Sequence, residues 1–296
     1  MKIAFISDIH MDFYIHPKNN GGHKLKRSVK NFIEEELYPK EADILLIGGD
    51  NSHYNIQTKE LLTQLSELKL FKHIFITFGN HDLYLISSNQ ESNYKVSWNK
   101  IEELKQICNE FEDVTFLDGN IVEIDGVKIG GCGMWYDFSY GTKFFGKNKD
   151  DMLQLWKDVM NDANYIKGND KIPQLSSIQM YSYKTKQYNF DPLKFFNNEK
   201  EKLVKIISEV DVMLSHFGPV VPPNLEPQYA VPSTGFYYFD GEHLLMNEKT
   251  PKMWVFGHTH TRYDFKVNNT WLMCNPLGYA SERTGNEIVV VDLNDL

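Results

Sequence analysis

His73-Ile74-Phe75-Ile76-Thr77-Phe78, followed by Gly79-Asn80-His81-Asp82, reads as a short buried strand that stops at a glycine. It then delivers an amide, an imidazole and a carboxylate in successive positions. Asn-containing turns are common, so this segment alone decides little. The same design occurs twice upstream: apolar Lys2 to Ser7 runs into Asp8-Ile9-His10, and Asp43 to Ile47 runs into Gly48-Gly49-Asp50. Between these strands, amphipathic Lys24 to Tyr38 and leucine-rich Ile56 to Leu68 read as helices. Strands alternating with helices predict a parallel sheet, in which reactive groups collect beyond the carboxyl ends of the strands.

The residue types suit that position. Residues two apart on an extended chain point to one side, so Asp8 and His10 can converge on one ion, although an isolated Asp at a strand end is more often a turn or cap former. The glycines before Asp50 let the backbone bend sharply and leave the carboxylate unobstructed.

Downstream, a helix is expected over Val96 to Glu110, then strands near Val114 to Leu117, Asn120 to Ile124 and Val127 to Cys132. The last two are joined by Asp125-Gly126, a hairpin signal that implies a second sheet. From Met134 to Asn198 the pattern breaks into a polar, aromatic stretch that includes Trp135, Tyr136, Phe138, Trp156, Tyr181, Tyr183 and Tyr188. It reads as an insertion or cap subregion with a helix over Asp150 to Asn161, within a single domain spanning 1–296. Packing within a subdomain is preferred for these rings over roofing the site and stacking on a base or sugar.

The core pattern resumes with a helix near Glu199 to Glu209 and strands at Val210 to Ser215, Lys252 to Phe256, Tyr263 to Val267, Thr270 to Met273 and Glu287 to Asp292. A proline-rich loop through Pro219, Pro222, Pro223 and Pro227 is long enough to suggest a functional role. Two of the late strands again end in ligand-type residues, in Ser215-His216-Phe217-Gly218 and in Phe256-Gly257-His258-Thr259-His260. A lone His216 would more often be a satisfied structural histidine. Two imidazoles one residue apart after a glycine bend offer two ligands at low backbone cost.

Taken in order, D-x-H, G-D, G-N-H-[D/E], H and G-H-x-H form the pattern of the calcineurin-like metallophosphoesterase superfamily, which this chain resembles from Asp8 to His260. Asn275-Pro276-Leu277-Gly278 is similar to the family's Asn-Pro-Gly turn with Leu277 inserted. The resemblance implies an α/β fold, a four-layer αββα sandwich of two mixed β-sheets flanked by helices, and leaves 134–198 unexplained. It implies that Asp8, His10 and His260 hold one divalent metal, that Asn80, His216 and His258 hold another, and that Asp50 bridges them. It also gives His81 the task of protonating the leaving oxygen or contacting phosphate. Asp82, next in sequence, is read as an acceptor that orients the His81 ring, with a solvated turn carboxylate as the alternative. Imidazole, carboxylate and amide donors without thiolate suit manganese, with iron or zinc as alternatives.

The implied activity is hydrolysis of a phosphodiester or phosphomonoester bond in a small soluble substrate, such as a nucleotide, by a metal-activated hydroxide. A DNA or RNA nuclease of the same superfamily is the alternative, and a non-catalytic scaffold is less favoured because every ligand type is retained. The protein serine/threonine phosphatase branch carries Asp-Arg-Gly after the bridging Asp, where this chain has Asn51-Ser52-His53-Tyr54. The lipid A branch has His-Gly-Asp where this chain has His216-Phe217-Gly218.

Composition narrows the partners. A net charge of −9 argues against a surface built to neutralise a nucleic-acid backbone. Cys108, Cys132 and Cys274 are widely spaced and lack CxxC pairing, so buried free thiols are expected. No apolar run reaches membrane-helix length and the first residues do not read as a signal peptide, so a cytoplasmic protein without membrane contact is expected. His16, His23, His53, His73 and His243 are expected at the surface, with His53 near enough to Asp50 to reach substrate. Asp12 is expected to be a supporting or solvated carboxylate.

Overall fold

The computed structural model describes residues 1–168 and 190–296. Tyr181, Tyr183 and Tyr188 of the aromatic stretch lie outside the described residues.

The first sheet has the order β11-β1-β2-β3-β4, built from β1 (Lys2–Ile6), β2 (Ile44–Ile47), β3 (His73–Ile76), β4 (Val114–Phe116) and β11 (Val289–Asp292). Strands β1 to β4 are parallel and β11 runs antiparallel to β1. The second sheet has the order β5-β6-β7-β8-β10-β9, from β5 (Asn120–Ile124), β6 (Val127–Gly131), β7 (Val212–Leu214), β8 (Met253–Phe256), β9 (Tyr263–Val267) and β10 (Thr270–Cys274). Its central strands β6, β7, β8 and β10 are parallel, and its edges are antiparallel.

Alternation along the strands sets the layers, because successive side chains leave opposite faces. Ile3 and Phe5 of β1, Ile44 and Leu46 of β2, Val212 and Leu214 of β7, and Met253 and Val255 of β8 belong to one cluster that fills the space between the sheets. Their neighbours Ala4, Ile6, Leu45, Ile47, Met213, Trp254 and Phe256 belong to the other, which is shared with the helices. Two mixed sheets with flanking helices result, the sandwich expected from the sequence.

The helices are α1 (Gly22–Phe32), α2 (Asn55–Leu68), α3 (Asn80–Leu83), α4 (Ser88–Tyr94), α5 (Ser97–Cys108), α6 (Ser139–Phe145), α7 (Lys149–Val159), α8 (Asp162–Tyr165) and α9 (Pro192–Ile206). α1 continues into a π-helical turn over Ile33–Leu37 that stops at left-handed Tyr38. α9 starts earlier than the expected Glu199, because Asp191 caps it by accepting from the Leu193 and Lys194 N–H groups and Pro192 sits in its first turn. The three cysteines are buried and free. Among the described residues, no helix is long and apolar enough to cross a membrane.

The parallel strands of both sheets deliver their carboxyl ends to one edge of the sandwich. There the segment after β10 stitches onto the end of β1: Ser7 N–H donates to Asn275 O at 3.1 Å, and the Leu277 and Gly278 N–H groups donate to Ser7 O and Asp8 O at 2.9 Å each.

Candidate metal centre

Beyond the strand ends the backbone curls rather than continuing extended. Asp8, His10, Asp50, His258 and His260 all have φ between 43° and 71°, in the left-handed region that side-chain-bearing residues rarely occupy. Five such residues at one place are strain held by surrounding structure, a pattern typical of functional sites. Part of what holds it is a second ladder, in which Asp8 N–H donates to Gly49 O at 3.0 Å and His10 N–H to Asp50 O at 2.8 Å.

These residues converge. Asp50 Oδ2 lies 3.6 Å from His10 Nε2 and 3.4 Å from His216 Nε2. His260 Nε2 lies 3.6 Å from Asp8 Oδ1 and 2.9 Å from His10 Nε2. Asn80 Oδ1 is 3.2 Å from His216 Nε2. The donor atoms of Asp8, His10 and His260 form one group able to hold a metal ion, and those of Asp50, His216 and His258 form another. His10, Asp50 and His81 form a third that overlaps both.

Hydrogen bonds on the far sides of these groups decide which atom faces inward. His216 Nδ1 is 2.8 Å from Gly48 O, so its proton sits on Nδ1 and Nε2 presents a lone pair. Asn80 Nδ2 donates to Asp162 Oδ1 at 2.8 Å and to Tyr84 Oη at 3.0 Å, turning Oδ1 toward His216. His260 Nδ1 meets Glu282 Oε2 at 2.7 Å, the carboxylate–histidine arrangement common behind metal ligands. His216 Nε2, Asn80 Oδ1 and Asp50 Oδ2 are thus electron-rich atoms aimed at one another, which only a cation reconciles. The donor set fits divalent metals.

The electrostatics agree. Burial would raise the Asp50 pKa, but His216, His81 and His10 outweigh it and hold the carboxyl well below its usual range. Burial would lower His216, but the charge of Asp50 and its hydrogen bond, then Asp8, bring it up to about 9, as a proton stands in for a cation. His10 is driven down to about 3, chiefly by burial, and so presents a neutral ring.

The structure brings Asp8, His10, Asp50, Asn80, His216, His258 and His260 together, with His81 beside them. Asp82 is placed differently from expectation. Its carboxylate does not orient the His81 ring; Oδ2 accepts from the Asp50 and Gly79 N–H groups at 2.8 Å each, and Oδ1 from Asn51 N–H at 3.1 Å. At the start of a helix, free N–H groups capture a nearby carboxylate ahead of an adjacent ring. Asp82 therefore ties the loop after β2 to the loop after β3.

His53 is not at the surface. It is 7% exposed, its Nε2 lies 2.9 Å from His81 Nδ1, and its Nδ1 lies 2.6 Å from Asp12 Oδ2. His73 is only half-buried and pairs with Thr115 Oγ1 at 2.8 Å.

Asp162 escaped the sequence reading. It is fully buried at the start of α8 and accepts from Asn80, from Tyr84 Oη at 2.5 Å and from Tyr136 Oη at 2.5 Å, while Trp156 donates to that same Tyr136 oxygen. Trp135, Tyr136, Phe138 and Trp156 of the aromatic stretch are buried, as preferred from sequence, whereas Phe144 and Phe145 are exposed, and Asp162 reaches the centre. Asp162→Ala should weaken metal affinity about 10–100-fold with the fold retained, since Asn80 loses one of two anchors; calorimetric metal titration checks this.

The chain matches the family model described as calcineurin-like phosphoesterase over residues 1–262. An uncharacterised protein of Acanthamoeba polyphaga mimivirus is 22% identical, the match covering 99% of this chain and 97% of that protein. An uncharacterised metallophosphoesterase of Helicobacter pylori strain J99 is 28% identical over 155 residues, 52% of this chain and 35% of its own length. Among solved structures, phosphopantetheinyl hydrolase from Mycobacterium tuberculosis superposes with a TM-score of 0.65 at 15% identity, covering 97% of this chain and 95% of that one. The clustered Asp, His and Asn side chains at the sandwich edge and the family match over the same residues lead to one identity: the chain belongs to the calcineurin-like phosphoesterase family, metal-dependent hydrolases acting on phosphoester bonds.

Proposed function

We propose that this protein is a dinuclear-metal-dependent phosphoesterase of the cytoplasm that cleaves a phosphodiester or phosphomonoester bond in a small substrate, with a nucleotide as the leading class. The observation that carries the reading is the position of Asp50 Oδ2, 3.6 Å from His10 and 3.4 Å from His216, which sets it between one residue of each proposed ligand group. Asp8, His10 and His260 would hold one ion, Asn80, His216 and His258 the other, and Asp50 would bridge them, with manganese preferred over iron or zinc. When bound, the ions neutralise phosphate charge and lower the pKa of a coordinated water.

The chain's own residues supply the rest. His81 reaches toward the site with Nε2, 3.2 Å from Tyr279 Oη, and is the group positioned to pass a proton to the leaving oxygen. Phe13 and Tyr279, with ring centroids 4.5 Å apart, flank one side, and Tyr237, 4.9 Å from the His258 ring, flanks another. These are surfaces suited to a planar organic group. The net charge of −9 supports a compact phosphorylated substrate over a nucleic-acid backbone.

Protein purified without chelator should contain about two metal ions per chain and, with manganese, should turn over bis-p-nitrophenyl phosphate or p-nitrophenyl phosphate. Faster cleavage of single- or double-stranded DNA than of either small ester would shift the assignment to a nuclease. Metal-free, inert protein would sink the reading.

A further inference from the structure

Behind His81 runs a chain of contacts that the metal ligands do not use. Asp12, in the single turn Met11–Phe13 after β1, grips His53 twice: Oδ1 accepts the His53 backbone N–H at 3.1 Å, and Oδ2 meets the ring Nδ1 at 2.6 Å. The far side of that ring, Nε2, lies 2.9 Å from His81 Nδ1, with the two ring planes only 16° apart. His81 Nε2 then faces Tyr279 Oη at 3.2 Å.

This line is built rather than incidental. The side chains of Asp12 and His53 are each 8% exposed, Gln90 Nε2 fixes the His53 carbonyl at 2.6 Å, and Met11 N–H ties the two loops by donating to Asn51 O at 3.0 Å. Tyr84 lies over both imidazoles, 5.6 Å from His53 and 4.4 Å from His81 between ring centroids.

We propose that Asp12 and His53 are positioning residues that hold His81 in one orientation and one tautomer, with its Nδ1 proton given to His53 and its Nε2 directed at the substrate. With both rings neutral, the proton count leaves one arrangement. Carboxylate Oδ2 accepts from His53 Nδ1–H, so His53 Nε2 is an acceptor and His81 Nδ1 must donate to it. His81 Nε2 then carries a lone pair that accepts a hydrogen bond from the Tyr279 hydroxyl at rest. Asp12, through His53, thereby fixes the His81 ring so that Nε2 is the nitrogen facing the substrate. Asp82, which accepts only backbone and Asn51 N–H groups among the hydrogen bonds around it, leaves this task to His53.

The structural arm of the test is independent of catalysis, whereas its kinetic arm rests on the phosphoesterase reading. In zinc-loaded, 15N-histidine-labelled full chain, two-bond proton–nitrogen correlations should show His81 protonated on Nδ1. His53→Phe should move that proton to Nε2 or mix the two forms, and His53→Gln, which keeps an acceptor near Nε2, should restore the wild-type signature. Kinetically, His53→Phe should lower kcat about 10–100-fold on alkyl phosphate esters, whose leaving oxygen needs a proton. It should change turnover of the p-nitrophenyl ester little, with KM unaltered for both. His81 protonated on Nε2 in the wild type, an unchanged tautomer in His53→Phe, or equal losses on both esters would overturn the proposal. Wild-type protein that cleaves no ester would instead sink the phosphoesterase reading, and the nitrogen signature would still decide the proposal about His53.

Discussion

Asp50→Asn is expected to lower turnover about a thousandfold, some 4 kcal/mol of transition-state stabilisation, without unfolding the protein. The carboxylate is 1% exposed and works on two sides. Oδ1 accepts the His81 N–H at 2.8 Å, a contact the carbonyl of an asparagine can keep. Oδ2 faces His10 and His216, and an amide nitrogen there would donate to their lone pairs instead of sharing charge with a cation. The variant should therefore bind fewer metal ions while its far-ultraviolet circular dichroism is retained.

A pH signature accompanies this. In chelator-treated wild-type protein, His216 is raised from 6.5 to about 9 because Asp50 and Asp8 outweigh its burial. A raised histidine contributes stability that is complete below 6.5 and lost as pH rises through about 9. Melting of the stripped wild type should fall across that window. Asp50→Asn should flatten the decline, because the charge that raises His216 is gone. Near-normal turnover, or a decline identical in both proteins, would contradict the bridging assignment.

What the sequence disclosed and what it hid divide along a physical line. Asp8, His10, Asp50, Asn80, His216, His258 and His260 were readable because each follows an apolar strand, and a parallel sheet brings strand ends together whatever the loops do. Which face of each strand meets the other sheet was not legible, because Ile3, Ala4, Phe5 and Ile6 are all apolar.

The groups behind the side chains of the centre were not legible either. Asp162 and Glu282 become neighbours of Asn80 and His260 only through the packing of the segment after β6 and a late loop, and no local pattern marks them. Asp82 misled because sequence adjacency to His81 resembles an orienting pair, whereas its place in the first turn of α3 commits it to backbone N–H groups. His53 looked solvated because its neighbours are polar, yet those neighbours, Asp12 among them, bury it.

The glycines before the ligands lead to the second large effect, one that separates site from fold. A Cβ on Gly79 would lie 2.1 Å from Asp50 Oδ1 and 2.6 Å from His216 Cε1, while the Gly79 φ of −112° suits any residue. Gly79→Ala is thus a purely spatial change against two side chains of the proposed metal centre, which can swing aside only by leaving it. It should fold, with overpacking costing about 1–3 kcal/mol, and should bind metal at least about a hundredfold more weakly.

Gly49 differs in its backbone conformation and in the backbone atoms a Cβ would strike. Its φ is +85°, and a Cβ there would meet not only His216 Nδ1 at 2.8 Å but also Gly79 N at 2.6 Å and Phe78 C at 2.8 Å, backbone atoms of the segment after β3 that have nowhere to go. Left-handed strain of about 1–2 kcal/mol adds to overpacking of about 1–3 kcal/mol, a large part of the roughly 5–15 kcal/mol that holds a typical domain together. Gly49→Ala should therefore show a markedly lowered denaturation midpoint even with chelator present. Gly79→Ala should lose most of the metal-induced rise in midpoint while melting closer to the wild type than Gly49→Ala does in chelator. If Gly79→Ala instead binds metal like the wild type, Asp50 and His216 are not its ligands.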